Sequence, residues 1–321
     1  MPQLRLVFAG SPDAAVPSLE ALVAGPHEVV AVVTREDSPQ GRRGTLTSTA
    51  VAEAAERHGI RVIKANSLTG DATDEIVALG ADLGVIVAYG GLVKEPLLSA
   101  PRHGWINLHF SLLPRWRGAA PVQRALMAGD EITGASVFQL VPELDAGDVF
   151  GELSHTISST DTAGTLLESL AHSGVHLLTS VIDSIADGSA RATPQQGEVT
   201  LAPKLTLSDG LIDWSDDAQD VAHRVRGVTP EPGASTMLDG VRIKVLEIAT
   251  IEDQGVTLAP GEFALAGSRL LVGTGSFPLH VVRVHPSGKK AMAAADWWRG
   301  RPPGSQTVVN SSATQTMGEK R

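Results

Sequence analysis

The run Ile-Asn-Leu-His-Phe at 106–110 places an amide and an imidazole two residues apart inside an apolar stretch. Side chains alternate between faces along a strand, so Asn107 and His109 share one face while Ile106, Leu108 and Phe110 share the other. An amide NH2 is a fixed hydrogen-bond donor, and an imidazole gives or takes a proton near neutral pH. Together they suit a reaction that builds negative charge on an oxygen while moving protons. The same pair also fits a histidine satisfied at a strand end beside an asparagine that caps a turn. Asp145 bears on that choice, lying 36 residues beyond His109 in the Gly-containing run Glu-Leu-Asp-Ala-Gly-Asp. A carboxylate brought near the imidazole orients it, raises its pKa and accepts a proton through water. Judged by composition alone, a loop aspartate is more often a solvated turn former.

These groups need a scaffold, and the first half of the chain supplies one by alternation. LRLVFAG, EVVAVVT, IRVIKA, DLGVIVAYG and GWINLHF are apolar strands, separated by the helices AAVPSLEALVAG, TSTAVAEAAERHG and GDATDEIVALG. Strands apolar on both faces with helices between them indicate a mostly parallel, doubly wound α/β sheet of Rossmann-like type. Ligands of such sheets bind beyond the carboxyl ends of the strands. ASVFQLVPELDAGDVFGELSHTI reads as two paired strands joined by the Asp145 loop, followed by a helix carrying Leu166, Leu170, Gly174, Leu177, Val181 and Ile185 on one face. His172 and His176 have ligand-like spacing but lie off that face with no partnering Glu, so no metal site is expected. The segment around 188–204 turns polar and rich in Gly, Pro and Gln, which reads as a linker. Beyond it, a hairpin at Asp239-Gly240 and two strands around a Gly-rich turn predict a small all-β domain. The expected organisation is a catalytic domain over 1–188, a linker over 189–206, a β-barrel over 207–308 and a disordered tail over 309–321.

Composition narrows the chemistry. With 321 residues and 42% hydrophobic content, the chain reads as a two-domain globular protein with cytoplasmic localisation expected and no membrane partner. Zero cysteines exclude thiol nucleophiles, disulfides and thiolate metal sites. A net charge of −10 argues against nucleic acid at first sight, yet the chain from Gly240 onward carries ten Lys and Arg against six Asp and Glu. That local balance of +4 leaves −14 on the rest and permits an anionic contact at the C-terminal end.

The motifs NLHFSLLPRWRGAAPVQRAL, FAGSPDAAVPSLEAL, VAYGGL and LDAGD closely resemble the folate-dependent formyltransferase family, with further likeness at IDW (212–214) and SGKKAMAAADW (287–297). RGAAPVQ and the β domain narrow the resemblance to the branch that acts on charged tRNA. The resemblance implies transfer of formyl from 10-formyltetrahydrofolate, a co-substrate, to the α-amine of methionyl initiator tRNA. It implies Asn107, His109 and Asp145 as the catalytic trio and no metal; a monomer is expected. Ser111, Leu112, Leu113 and Pro114 match the family's folate-binding turn, and the backbone of Ala88, Tyr89, Gly90 and Leu92 would line the pterin slot together with the loop 141–145. Such a slot is itself apolar with a few polar backbone groups.

For the tRNA, REDSPQGRRGTLT is too long and polar for a tight turn, and Arg42, with its neighbour Arg43, aligns with the arginine the family uses at the acceptor end. Lys204 matches a linker lysine of the family, while Lys289 and Lys290 sit in a Gly-flanked turn suited to phosphates. The resemblance also implies an OB-like fold for the second domain. One departure is TPEPGA at 229–234, where many relatives have Trp in place of Glu231. Two other readings share features of the chain. A formyltransferase acting on an amino sugar or other small amine would share the trio but not this β domain. A dinucleotide-binding oxidoreductase would share the α/β pattern, but AGSPDAAV lacks the G-x-G-x-x-G that lets a pyrophosphate approach.

Overall fold

A computed structural model describes residues 2–40, 44–250 and 255–309. The chain divides into two compact units. The first comprises the chain up to Pro121, Ile132–Thr156 and Leu167–Ala202; the second comprises Val122–Glu131, Ile157–Leu166 and the chain from Pro203.

In the first unit the apolar runs form β1 (Arg5–Gly10), β2 (Glu28–Thr34), a small hairpin of β3 (Ser38–Gln40) and β4 (Thr45–Thr47), β5 (Val62–Lys64), β6 (Leu83–Val87), β7 (Trp105–His109), β8 (Ile132–Gln139) and β9 (Val149–Thr156). The main sheet runs β5-β2-β1-β6-β7-β8-β9. Its first five strands are parallel, and β8 and β9 are antiparallel to their neighbours. Helices α1 (Val16–Ala24), α2 (Ala50–Arg57) and α3 (Asp71–Ala78) form the crossovers. Thr49 caps α2, its hydroxyl accepting from the Ala52 N–H. Val7, Ala9, Ala31, Val33, Ile86 and Trp105 share one core cluster with Ile76 of α3, while Leu6 and Phe8, alternating with them on β1, are fully buried as well. Burial on both faces is what makes these strands apolar at every position. Strand order reverses between β1 and β6, so a crevice opens beyond the carboxyl ends of the central strands.

Helix α4 (Pro121–Met127) precedes β8, and α5 (Ala163–Asp187) follows β9. Gly174 lets α5 come close to β7: a Cβ there would lie 3.0 Å from Leu108 Cδ2. Leu108 is thereby committed to the α5 side, which turns Asn107 and His109 to the opposite face. His172 and His176 are exposed.

The second unit is built on β10 (Ala234–Leu238), β11 (Val241–Thr250), β12 (Phe263–Ala266), β13 (Arg269–Val272), β14 (Leu279–Pro286) and β15 (Met292–Ala293), with α6 (Ala218–Gly227) and α7 (Ala294–Arg299). The strands form one antiparallel sheet in the order β10-β11-β14-β13-β12, with β15 on β14. This is consistent with the small barrel-like domain the sequence predicts. The hairpin turns at Asp239 and Gly240 with φ of 52° and 69°, the pair of left-handed residues that a tight two-residue turn needs. Trp214, Phe263, Trp297 and the aliphatic residues of β10, β11, β13 and β14 fill its core, and Trp214 donates its indole N–H to Thr236 Oγ1 at 3.0 Å.

Residues 189–202, expected as linker, are fastened to the first unit by backbone bonds. Val149 and Thr193 exchange N–H to O bonds of 2.8 and 2.9 Å, and the Arg117 N–H donates to Thr200 O while its carbonyl accepts from Ala202. The expected tail, 309–321, lies outside the described residues except for Val309.

Candidate active site

His109 is the last residue of β7 and faces Ser136 of β8. The turn that follows folds back over it. The His109 ring is buried, stands edge-on to Phe138, and its Nε2 lies 2.9 Å from the Trp116 carbonyl oxygen. A carbonyl only accepts, so Nε2 carries the hydrogen and the neutral ring keeps its lone pair on Nδ1. Nδ1 is 3.9 Å from Asp145 Oδ2. That exceeds a hydrogen bond but lies within strong electrostatic reach where both side chains are largely buried. Burial holds the His109 pKa below 6.5, and the Asp145 carboxylate and the Trp116 carbonyl oppose that shift.

Asp145 sits in the β8–β9 loop with φ of 46°, in the left-handed region that few residues other than Gly, Asn and Asp adopt. Its Oδ2 accepts from the Gly118 N–H at 2.7 Å. Thus the loop 111–118 contributes a group to each member of the pair, Trp116 O to His109 and Gly118 N to Asp145. Asn107 is half-buried on the same face of β7, and its amide makes no hydrogen bond with another described residue. Three groups expected to act together are therefore gathered at the carboxyl end of β7, two of them interacting and the third free to meet a ligand.

The residues of the Ser111–Pro114 turn are mostly inward-facing. Ser111 Oγ donates to Arg115 O at 2.6 Å, and Ser136 Oγ donates to Ser111 O while accepting from the Leu113 N–H. Leu113 packs with Phe138 and Val149, whereas Leu112 is half-buried. At the end of β6, beside the strand-order reversal, Ala88 and Leu92 are exposed. Tyr89 is buried, its hydroxyl donating to Ala65 O at 2.7 Å and its carbonyl accepting from Ser11 Oγ at 3.4 Å. The Gly90 carbonyl accepts from Arg35 at 3.0 Å. Arg42 and Arg43 lie outside the described residues, between β3 and β4. Lys204, Lys289 and Lys290 belong to the second unit, all exposed and without an ion-pair partner among the described residues.

Several site groups are not legible in the residue pattern. Trp116 and Gly118 act through backbone atoms, which no side-chain motif announces. Gln195 reaches Asp145 across 50 positions of sequence.

Residues 4–182 match the formyl transferase family, and residues 204–302 match the formyl transferase C-terminal domain. This chain belongs to the formyl transferase family. Among its relatives are the methionyl-tRNA formyltransferase of Leifsonia xyli subsp. xyli, 59% identical over 92% of this chain and 97% of that protein, and that of Clavibacter sepedonicus, 56% identical with the same coverage. In three dimensions this formyl transferase is similar to a sugar 3N-formyl transferase solved in the presence of dTDP and 5-N-formyl-THF. The TM-score is 0.67 at 15% identity, covering 89% of this chain and 99% of that one. An N-formyltransferase from Helicobacter canadensis, in complex with folinic acid and dTDP-3-aminofucose, gives 0.68 at 16% identity over 87% and 99%. At such identity the likeness concerns the fold. The two domain matches, spanning both units of this formyl transferase, leave no place for the dinucleotide-binding oxidoreductase. Among the described residues, no helix is long and apolar enough to cross a membrane.

Proposed function

We propose that this chain transfers the formyl group of 10-formyltetrahydrofolate to the α-amine of methionyl initiator tRNA, with Asn107, His109 and Asp145 as the catalytic groups. The observation that carries the assignment of roles is the buried His109–Asp145 pair beside the unengaged amide of Asn107. The choice of acceptor rests on relatives that are more than half identical over nearly their whole length and named for that activity.

The balance of atoms is simple. The amine nitrogen attacks the formyl carbon, the carbonyl becomes an oxyanion, and its collapse breaks the bond to N10 of the folate. One proton leaves the amine and one arrives at N10. Asn107 donates to the oxyanion, a contribution on the order of 10²–10³ in rate for one such donor. His109, kept neutral by burial, takes the amine proton at Nδ1. The imidazolium so formed is stabilised by the Asp145 carboxylate, hydrogen-bonds the oxyanion and returns the proton to N10 as it leaves. An α-amine titrates at about 7.7 to 8.0, so a weak base suffices. The turn 111–114 and the backbone at 88–92 would hold the pterin at the crevice beyond β6 and β7. Lys204, Lys289, Lys290, Arg42 and Arg43 would meet tRNA phosphates, and the enzyme would act in the cytoplasm, where charged tRNA is found, as a single chain.

Formylation of charged initiator Met-tRNA by the purified protein tests this directly, with a dTDP-linked amino sugar as a parallel acceptor. Product on the tRNA alone supports the reading. Product on the sugar alone assigns the chain to amino-sugar chemistry, and folate consumption without either product assigns water or another amine as acceptor.

A further inference from the structure

Among residues 193–199 only Gln195 is not exposed to solvent. Its amide nitrogen donates to the carbonyls of Asp145 and Gly147, both at 2.8 Å. Its amide oxygen accepts from Arg117 Nε at 3.1 Å and Nη2 at 2.6 Å. Two carbonyls can only accept and a guanidinium can only donate, so the orientation of the amide is fixed by its partners. Arg117 lies between Trp116, whose carbonyl meets His109, and Gly118, whose N–H meets Asp145. One side chain therefore joins the loop that supplies Asp145 to the loop that supplies a partner to both His109 and Asp145.

We infer that Gln195 is a positioning residue for the proposed reaction: it clamps the Asp145 loop to the Arg117 loop and so sets the approach of the Asp145 carboxylate to His109. Asp145 holds a left-handed backbone, φ 46°, a conformation that aspartate tolerates better than most residues but that still costs more than the extended one. The clamp grips that residue by its own carbonyl. A displacement of a reacting group by about 1 Å can cost about 100-fold in rate even when the residue responsible touches no substrate. The inference rests on the proposed function for its kinetic part and on the structure alone for its geometric part.

Gln195→Ala, Gln195→Glu and Asp145→Asn, with the double variant Gln195→Ala/Asp145→Asn, test it. Gln195→Ala is expected to lower kcat about 10- to 100-fold, leaving KM for folate and for tRNA within about 3-fold. Gln195→Glu keeps an acceptor for Arg117 but sets a carboxylate oxygen against two carbonyls, so it should fall at least as far as Gln195→Ala. Added to Asp145→Asn, Gln195→Ala should cost no more than about a further 2-fold, because residues acting through one another are not additive. Losses that multiply, a loss confined to KM, or a Gln195→Glu enzyme as active as wild type would overturn the assignment. A readout independent of turnover separates this from the choice of reaction. In Gln195→Ala, amide exchange at Gly118, whose N–H is held by Asp145, should speed up about 10-fold or more. The Ala120 N–H, held by Ala202 O on the same loop, should keep its protection. Unchanged exchange at Gly118 overturns the clamp whatever the substrate proves to be, whereas a failure to formylate tRNA with wild-type protein bears on the proposed function alone.

Discussion

The Nδ1 of His109 and the Oδ2 of Asp145 stand 3.9 Å apart, and each group is already engaged elsewhere: His109 Nε2 with the Trp116 carbonyl, Asp145 Oδ2 with the Gly118 N–H. The pair is thus held close without being locked together. A proton gained at Nδ1 is stabilised by the facing carboxylate but not trapped in a short bond to it, the condition a group needs to take a proton and give it back.

Removing Asn107 should cost rate and little stability. Its amide makes no hydrogen bond with another described residue, so Asn107→Ala leaves no orphaned partner. We expect kcat to fall by about 10²–10³ with Tm nearly unchanged, measured by single-turnover formylation and thermal melting. A large fall in Tm with kcat retained in the surviving enzyme would make Asn107 structural.

The pH profile should carry the signature of the buried imidazole. Burial lowers the His109 pKa from 6.5, so the acid limb of kcat is expected below pH 6.5. The Asp145 charge opposes that shift, and Asp145→Asn should therefore move the limb to still lower pH besides reducing the rate. A limb that rises towards neutrality in Asp145→Asn would contradict the pairing.

Stability follows from the same shift by linkage. Between its folded pKa and 6.5, His109 binds fewer protons folded than unfolded, so stability rises with pH there. Its contribution is full above 6.5 and drains as pH falls towards the folded pKa. His103, His223 and His280, also lowered chiefly by burial, add to the slope. Tm should drop between pH 7.5 and 5, and drop less steeply in His109→Gln; equal slopes would show that His109 titrates as a solvated histidine.

Gly147 is expected to tolerate no side chain. A Cβ there would lie 1.7 Å from the Gln139 carbonyl oxygen, a backbone atom of β8 that cannot rotate aside. Gly147→Ala must push the Asp145 loop off the strand, at a cost of about 1–3 kcal/mol. It should lower kcat more than Tm alone accounts for, as read from denaturant unfolding and turnover on the same sample.

Salt should separate the two substrates. Replacing Lys289 and Lys290 together by Ala should weaken tRNA use and flatten its dependence on salt, by up to about 0.7–0.9 in the log–log slope for each phosphate left without its lysine. KM for the folate should hardly respond. Equal salt responses of both substrates would remove the electrostatic basis for placing tRNA at this turn.

The sequence by itself determined the doubly wound sheet, because strands covered on both faces must be apolar at every position, and that pattern is visible without coordinates. It also determined that Asn107 and His109 share a face, since strand alternation allows nothing else once Leu108 is committed to the core. The hairpin at Asp239-Gly240 was legible for the same local reason, a turn that demands two left-handed residues. Only the tertiary structure decided how Asp145 stands to His109. That distance depends on a loop with a left-handed turn at Asp145, held by hydrogen bonds from Gly118, 27 positions away, and Gln195, 50 positions away. Gln195 lies in a stretch whose Gly, Pro and Gln content reads as a linker, since composition reports what a segment cannot bury and not what one inward-turned amide can grip. Backbone groups such as the Trp116 carbonyl and the Gly118 N–H are common to every residue type, so their roles are set by where the chain passes and leave no mark in the residues it is made of.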